Sequence, residues 1–542
     1  MNNEVYTAEM LASMAKVEAT RAYRLEHLHR RMTAEEKDQV LNDFHPDYKE
    51  SNFARLLVGP NKGDKVNFEL ADLLQGHARV LDMDIDLTKE PDYDVDVLII
   101  GAGGAGSAAA IEANEAGANV MMVTKLRIGD ANSMMAEGGI QAADKANDSP
   151  AQHYLDAFGG GHFKAKPELV KKLVTDGPVC IKWLNDLGVM FDKEPDGTMV
   201  TTHGGGTSRK RMHAARDYSG AEIMRTLRDE VKNREIPVVE FTSAIELLKD
   251  EEGKVAGAVL MNMETREILI ARAKCVILAT GGAGRLHYMG FPTSNHYGAT
   301  ADGLILGYRA GAKLLYADTI QYHPTGVVYP KQMYGALVTE KVRSLGAKFV
   351  NADGEAFVYS LETRDVAASA VIRECTERNK GVTLPDGGKA VWLDSPMIEA
   401  IHGEGAIIKR IPAMWRMYMT MGVDMRTEPI LIYPTQHYQN GGLDISVNGM
   451  TNVENLYCAG EVVGGIHGTN RLMGNSLLDI IVFGRNAGQQ AGAKCKEVAT
   501  PKTLSLDHVK AFEAELEAAN AGSGKLSPQL IPLYAKGKED FR

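Results

Sequence analysis

Apolar residues recur at two different periods along this chain, and the change of period divides it. Met10, Met14 and Val17, then Leu25, Leu28 and Met32, fall at helical spacing, so residues 1–93 are expected to form a helical N-terminal extension. Thr33 followed by Glu36 fits a capping box opening a further helix, and GPNKGD at 59–64 reads as a turn. These helices are expected to pack on the main domain; a docking arm for a partner subunit is the alternative.

From Asp94 the pattern becomes a continuous apolar burst, VDVLII, followed by glycines, an alanine-rich stretch and a second burst, VMMV. An apolar run without alternation is the signature of a strand buried on both faces. The whole reads as strand, turn, helix, strand. Further strands are expected at 237–241, 255–260 and 274–280 with helical patterns between them. The fold class is therefore α/β, with a doubly wound, Rossmann-like core. After Pro501, SLDHVKAFEAELEAAN predicts a short charged helix.

Composition then removes whole classes of function. The 542 residues carry a formal net charge of -11, which gathers neither nucleic acid nor anionic lipid. No apolar run reaches the roughly 18 residues of a membrane span. The N-terminal residues lack a basic region followed by an apolar one, so a cytoplasmic protein is expected, or one held at the membrane periphery through partner subunits. Cys180, Cys275, Cys375, Cys458 and Cys495 are scattered, with no spacing suited to zinc or an iron–sulfur cluster. No metal site is expected, and any iron–sulfur relay belongs on another chain.

Gly101, Gly103 and Gly106 form GxGxxG directly after the first strand, with Gly104 and Ala105 opening the helix. The first glycine permits the tight turn, the second the approach of a pyrophosphate, and the third close helix packing. The helix N-terminus then faces the phosphate charge. The second strand ends in Val123, Thr124, Lys125 and lacks the acidic residue that grips the ribose of NAD about 20 residues after the glycines.

With the Thr124–Lys125 strand end followed by Ser133, Met134, Met135, Ala136, Glu137, Gly138 and Gly139, the chain resembles the fumarate reductase, succinate dehydrogenase and L-aspartate oxidase superfamily. LATGGAG at 278–284, ADG at 301–303 and CAGEVVGGIHGTNRLMGNSLLD at 458–479 are similar to further FAD contacts of that family. The resemblance runs from about residue 94 to 500. It implies FAD, with contacts from Ser133, Glu137, Gly138, Gly139, Ala279, Thr280, Gly281, Asp302, Glu461, Asn475, Ser476 and Leu477. It also implies an FAD-binding domain in two parts, 94–315 and 434–500, an inserted α+β capping domain at 316–433, and a C-terminal helical tail at 501–542. Members with covalent flavin carry histidine where this chain has Asn132, so a non-covalent FAD of lower potential is expected, which favours reduction of an alkene.

QYHPTG at 321–326 and QHYQNGG at 436–442 flank the inserted segment. By the same resemblance His323, Thr325, His437 and Arg471 would clamp a dicarboxylate, and a guanidinium suits that task because its planar fork binds carboxylate bidentately. Arg364 matches the proton donor, Glu340 and Arg343 the relay that refills it, Leu337 and Thr339 the pocket wall, and Phe191 an aromatic closing over the substrate. The implied activity is reduction of fumarate or a related unsaturated dicarboxylate, with electrons from an iron–sulfur or other electron-transfer subunit. L-aspartate oxidation is an alternative, disfavoured by Gly204 where that enzyme would place a glutamate. A protein that only relays electrons is another, disfavoured by the intact Arg364, Glu340 and Arg343 set.

Overall fold

The computed structural model describes residues 5–532. Its main layer is a seven-stranded sheet ordered Thr242–Lys249, Val255–Asn262, Ile268–Leu278, Tyr93–Ile100, Val120–Val123 and Val238–Val239, with Leu456–Cys458 pairing alongside Ile268–Leu278. From Ile268–Leu278 onward the pairings are parallel, and the strands that read as continuous apolar runs are largely buried. The three strands between 242 and 278 form an antiparallel meander at one edge. Its first member, Thr242–Lys249, escaped the sequence reading. The glycine-rich turn leads into helix Gly104–Glu115, which packs against helix Asn475–Lys494.

A second antiparallel sheet, ordered Ile320–Tyr329, Ile430–Gln439, Lys389–Leu393 and Phe349–Val350, has its own apolar core around Trp392, Phe349 and Tyr418. It forms a cap. Three register shifts interrupt the pairing of its first two strands, and those at Gln321/Tyr322 and at His323/Gly326 decide which side chains share a face beside the histidines.

The N-terminal segment departs from expectation in two ways. Helix Ala8–Glu26 buries Met10, Met14 and Val17 as its spacing requires, but against the cap core and not the main layer. Ser13 Oγ donates to the Ala352 carbonyl, Trp392 Nε1 donates to Ser13 Oγ, and buried Arg24 pairs with Asp394 at 2.5 Å. Secondly, the helical spacing does not continue. The helix ends at Glu26 with His27 extended, leaving Leu25 and Leu28 40% and 72% exposed. The Thr33–Glu36 capping box does form and opens helix Ala34–Phe44. Farther on, Leu56, Val58, Val66 and Leu70 join the core of the main layer, so the extension straps both layers. Helix Asp507–Ala519 follows Pro501 as expected.

Candidate active site

One cavity of about 550 Å³ runs from the glycine-rich turn to the cap. At its first end, strand Tyr93–Ile100 delivers the chain into Gly101, whose φ of +108° and distance of 2.3 Å from a built Cβ to the Ala279 carbonyl both require glycine. Gly103, Gly104 and Ala105 line the cavity, at a helix start that has no side-chain cap on its N-terminal residue. The Gly104 N–H donates to Ser133 Oγ at 3.2 Å, and the N–H groups and dipole of a helix N-terminus suit a phosphate. Gly106 lies off the wall, and a Cβ there would sit 1.9 Å from the Gly101 carbonyl. It serves helix packing.

Thr124, Lys125, Ser133, Glu137, Gly138, Gly139, Ala279, Thr280, Gly281, Asp302, Glu461, Ser476 and Leu477 all face this cavity. Lys125 Nζ pairs with Asp302 at 2.5 Å and donates to Thr300, tying the second strand to helix Asp302–Arg309. Thr280 Oγ1 and Glu137 Oε2 are buried on the wall with no partner among the described residues. Orphaned polar atoms on a cavity wall are the condition expected where a ligand completes the hydrogen bonding. The residues present fit FAD. Asn475 is the exception among those expected, because its side chain turns away to His153 Nε2 at 3.0 Å. Asn132 lines the cavity and donates through Nδ2 to Asn295 Oδ1 at 2.8 Å and Glu461 Oε2 at 3.1 Å. Burial holds the Glu461 carboxyl above its ordinary range.

At the cap end, His323 and His437 project from the paired strands Ile320–Tyr329 and Ile430–Gln439 with ring centroids 4.9 Å apart. The Thr325 backbone N–H donates to His323 Nδ1 at 3.2 Å, which places the proton of the neutral ring on Nε2. That Nε2 is buried without a partner among the described residues, a donor awaiting an acceptor. Burial first, then the positive charge of Arg364, pushes both histidines well below the usual imidazole range. Both are neutral at pH 7.

Arg364 opens helix Arg364–Cys375, donating from Nε to Glu340 Oε2 at 2.9 Å and from Nη1 to Gln321 Oε1 at 2.8 Å. Arg471 donates from Nη2 to the same Gln321 oxygen at 3.0 Å and from Nη1 to Ser476 Oγ at 3.0 Å, and lies 4.3 Å over the Tyr438 ring. Burial and the neighbouring Arg364 bring its pKa down to about 9. Glu340 also accepts from the Gly205 N–H at 2.6 Å and pairs with Arg343 at 3.1 Å. Burial alone would raise its pKa, but Arg343, Arg364 and the Gly205 N–H outweigh it and hold it at about 2.

Leu337 and Thr339 line the cavity, whereas three expected residues do not. Thr325 sits behind His323, its hydroxyl within 3.1 Å of Nδ1 and donating to the Val338 carbonyl. Arg343 is buried beneath Glu340, with Nη1 on the Ser360 carbonyl at 2.6 Å. Phe191 lies in the apolar core of the main layer against His213 and does not close over the site, since its strongly apolar surroundings bury the ring away from the cavity. Gln321 and Gly205 were missed by the sequence reading. Gln321 stands two residues before His323 on a strand, a spacing that returns a side chain to the same face, so the signal was present.

The FAD binding domain family matches residues 96–477. A component of the CoM/CoB fumarate reductase of Methanothermobacter marburgensis is 39% identical over 393 residues, 71% of this chain and 70% of that one. The L-aspartate oxidase of Streptomyces coelicolor is 35% identical over 388 residues, 69% of this chain and 64% of that one. Among solved structures, the quinol fumarate reductase of E. coli superposes with a TM-score of 0.70 at 30% identity, covering 79% of this chain and 74% of that chain. A glycine-turn cavity fitted to FAD, joined to these likenesses, settles the kinship: this chain belongs to the FAD binding domain family, among the fumarate reductase, succinate dehydrogenase and L-aspartate oxidase flavoproteins.

Proposed function

We propose that this chain reduces fumarate, or a closely related unsaturated dicarboxylate, to succinate. The observation that carries the reading is the meeting of Arg364 and Arg471 on Gln321, beside two neutral histidines, at the cap end of the FAD cavity. Bound FAD supplies a hydride to one alkene carbon. The chain's own residues then have three tasks.

Arg471 and the Nε2 donor of His323, with His437, grip carboxylates. A guanidinium and neutral N–H donors are strong partners for an anion in a buried site. Arg364 gives a proton to the other alkene carbon, and the candidate atom is Nη2, which has no hydrogen-bond partner among the described residues, since Nε and Nη1 are held by Glu340 and Gln321. Glu340, an ionised carboxylate shared between Arg364 and Arg343, takes up a proton from Arg343 and passes it to the donor over hydrogen-bond distances. Thr325 orients His323, and the cap sheet helps exclude water.

Asn132 offers no imidazole for a covalent link, and its amide is already engaged by Asn295 and Glu461, so the FAD is held non-covalently. The Methanothermobacter relative is one component of a multi-chain fumarate reductase; we extend that to this chain and assign its electrons to a partner protein carrying iron–sulfur or other redox centres. Among the described residues no helix is long and apolar enough to cross a membrane, in keeping with a cytoplasmic flavoprotein or one peripheral to a membrane through that partner.

L-aspartate oxidation is the competing reading, supported by the relatives of that name. An ammonium group needs an anion, and Glu340 is already satisfied by Gly205, Arg343 and Arg364. Two assays test the choice: an anaerobic one with a reduced viologen dye, offering fumarate and substituted fumarates as electron acceptors, and an aerobic one offering aspartate with O2 as the oxidant. Succinate formation from fumarate is expected; iminoaspartate and peroxide in the aerobic assay, with fumarate ignored in the anaerobic one, would overturn it.

A further inference from the structure

Residues 159–163, where helix Pro150–Gly160 ends and turns into a loop, touch the site from behind at two places. The Gly160 carbonyl accepts from Asn470 Nδ2 at 3.0 Å and the Gly161 carbonyl from the Thr469 N–H at 3.3 Å, directly before Arg471. The next residue, His162, reaches across to the cap, where its Nε2 lies 2.6 Å from Asp365 Oδ2, directly after Arg364. Asp365 is buried in the first turn of the cap helix, and its other oxygen accepts from the Val366 N–H. Three consecutive residues therefore join the segments carrying both arginines. The loop holds this course with His162 and Phe163 both at a φ of +58°, a left-handed conformation that side chains rarely adopt and that persists only where surroundings enforce it.

Resting on the function proposed above, we propose that His162 is a positioning residue: its ion pair with Asp365 latches the cap helix to the FAD-binding layer and sets Arg364 against Arg471. The pair is full only while His162 is charged. Its surroundings favour that charge. Asp365 from the cap helix faces it, as does Asp38 from helix Ala34–Phe44, while His45 lies nearby and Asp47 and Tyr48 stand close to Asp365. The hydrogen bond that His162 donates to Asp365, then the charges of Asp365 and Asp38, raise the His162 pKa above 6.5 against the effect of burial. A raised histidine pKa means the pairing is complete below pH 6.5 and is lost as the pH rises through the higher folded value. The latch therefore opens on the alkaline side.

The test uses full-length, flavin-loaded protein and compares wild type with His162→Gln and His162→Lys. In the viologen assay His162→Gln should lower kcat roughly ten- to hundredfold at pH 6, the scale of a small misplacement in a site of this kind, and lose the alkaline limb of the wild type. His162→Lys, charged to roughly pH 10, should restore kcat and move that limb upward. Hydrogen exchange of residues 359–370, corrected for intrinsic rates, gives a readout that needs no substrate. Protection should fall between pH 6 and 9 in wild type, be low throughout in His162→Gln and persist in His162→Lys. Wild-type protection and pH profile in His162→Gln would overturn the latch. Fumarate turnover absent from wild type, with the exchange pattern intact, would instead remove the proposed reaction and leave the latch standing.

Discussion

Arg364 and Arg471 share one oxygen atom, Gln321 Oε1, which accepts from the first at 2.8 Å and from the second at 3.0 Å. Two buried guanidinium groups repel each other, and a neutral amide dipole between them lowers that repulsion without cancelling the charge a dicarboxylate needs. The amide nitrogen of the same side chain donates to Asn470 Oδ1 and the Arg471 carbonyl, which fixes the orientation of the oxygen.

Gln321→Ala should therefore damage binding and chemistry together. Losing a buried acceptor shared by two charged donors costs about 2 kcal/mol, so kcat/KM for fumarate should fall roughly thirtyfold with FAD content unchanged. A variant with wild-type kcat/KM would show that the bridge is incidental.

Arg364→Ala removes the proposed proton donor while leaving the glycine-turn end of the cavity untouched. Loss of a general acid lowers kcat by roughly 10² to 10⁴-fold. Flavin absorbance after gel filtration should still show full occupancy. Turnover near the wild-type rate would take Arg364 out of that role.

Gly205 and Glu340 make a second test. A Cβ at Gly205 would lie 2.5 Å from Glu340 Oε1, so Gly205→Ala should displace the carboxylate from both arginines and lower kcat without stripping FAD. Steady-state kinetics and flavin content together check this.

Glu340 also carries a pH signature. Its folded pKa of about 2 lies below the ordinary 4.5, so its contribution to stability is present above pH 4.5 and lost as pH falls through the interval down to 2. The difference corresponds to about 3 kcal/mol. Denaturant titrations of wild type and Glu340→Gln from pH 5 to 3 should show a steeper loss in wild type.

Arg24 and Asp394 link the N-terminal helix to the cap, both buried and 2.5 Å apart. Arg24→Met leaves the Asp394 charge with Arg21 as its remaining cationic partner, and breaking a buried pair costs about 3 kcal/mol or more. Thermal unfolding should shift down by several degrees; an unchanged Tm would mean Arg21 suffices.

Local signals told most about local structure. The apolar burst before the glycines, the turn itself and the Thr33–Glu36 capping box appear as expected because each rests on backbone geometry within a few residues. The resemblance supplied the residue types of the clamp, and the fold brings Arg364, Arg471, His323 and His437 to one cavity. What the linear order left open is anything that depends on which surface a residue meets. Met10, Met14 and Val17 announce an apolar face but not that the cap would cover it. Leu28 continues the helical spacing, yet it stays exposed and the helix stops short of it. Phe191 and Asn475 turn into the interior, away from the site expected of them. Gln321 becomes a bridge because its strand, paired to Ile430–Gln439 with shifted register, faces two arginines that lie 43 and 150 residues away in the chain. Periodicity records burial one element at a time; register and packing between distant elements decide which buried faces meet.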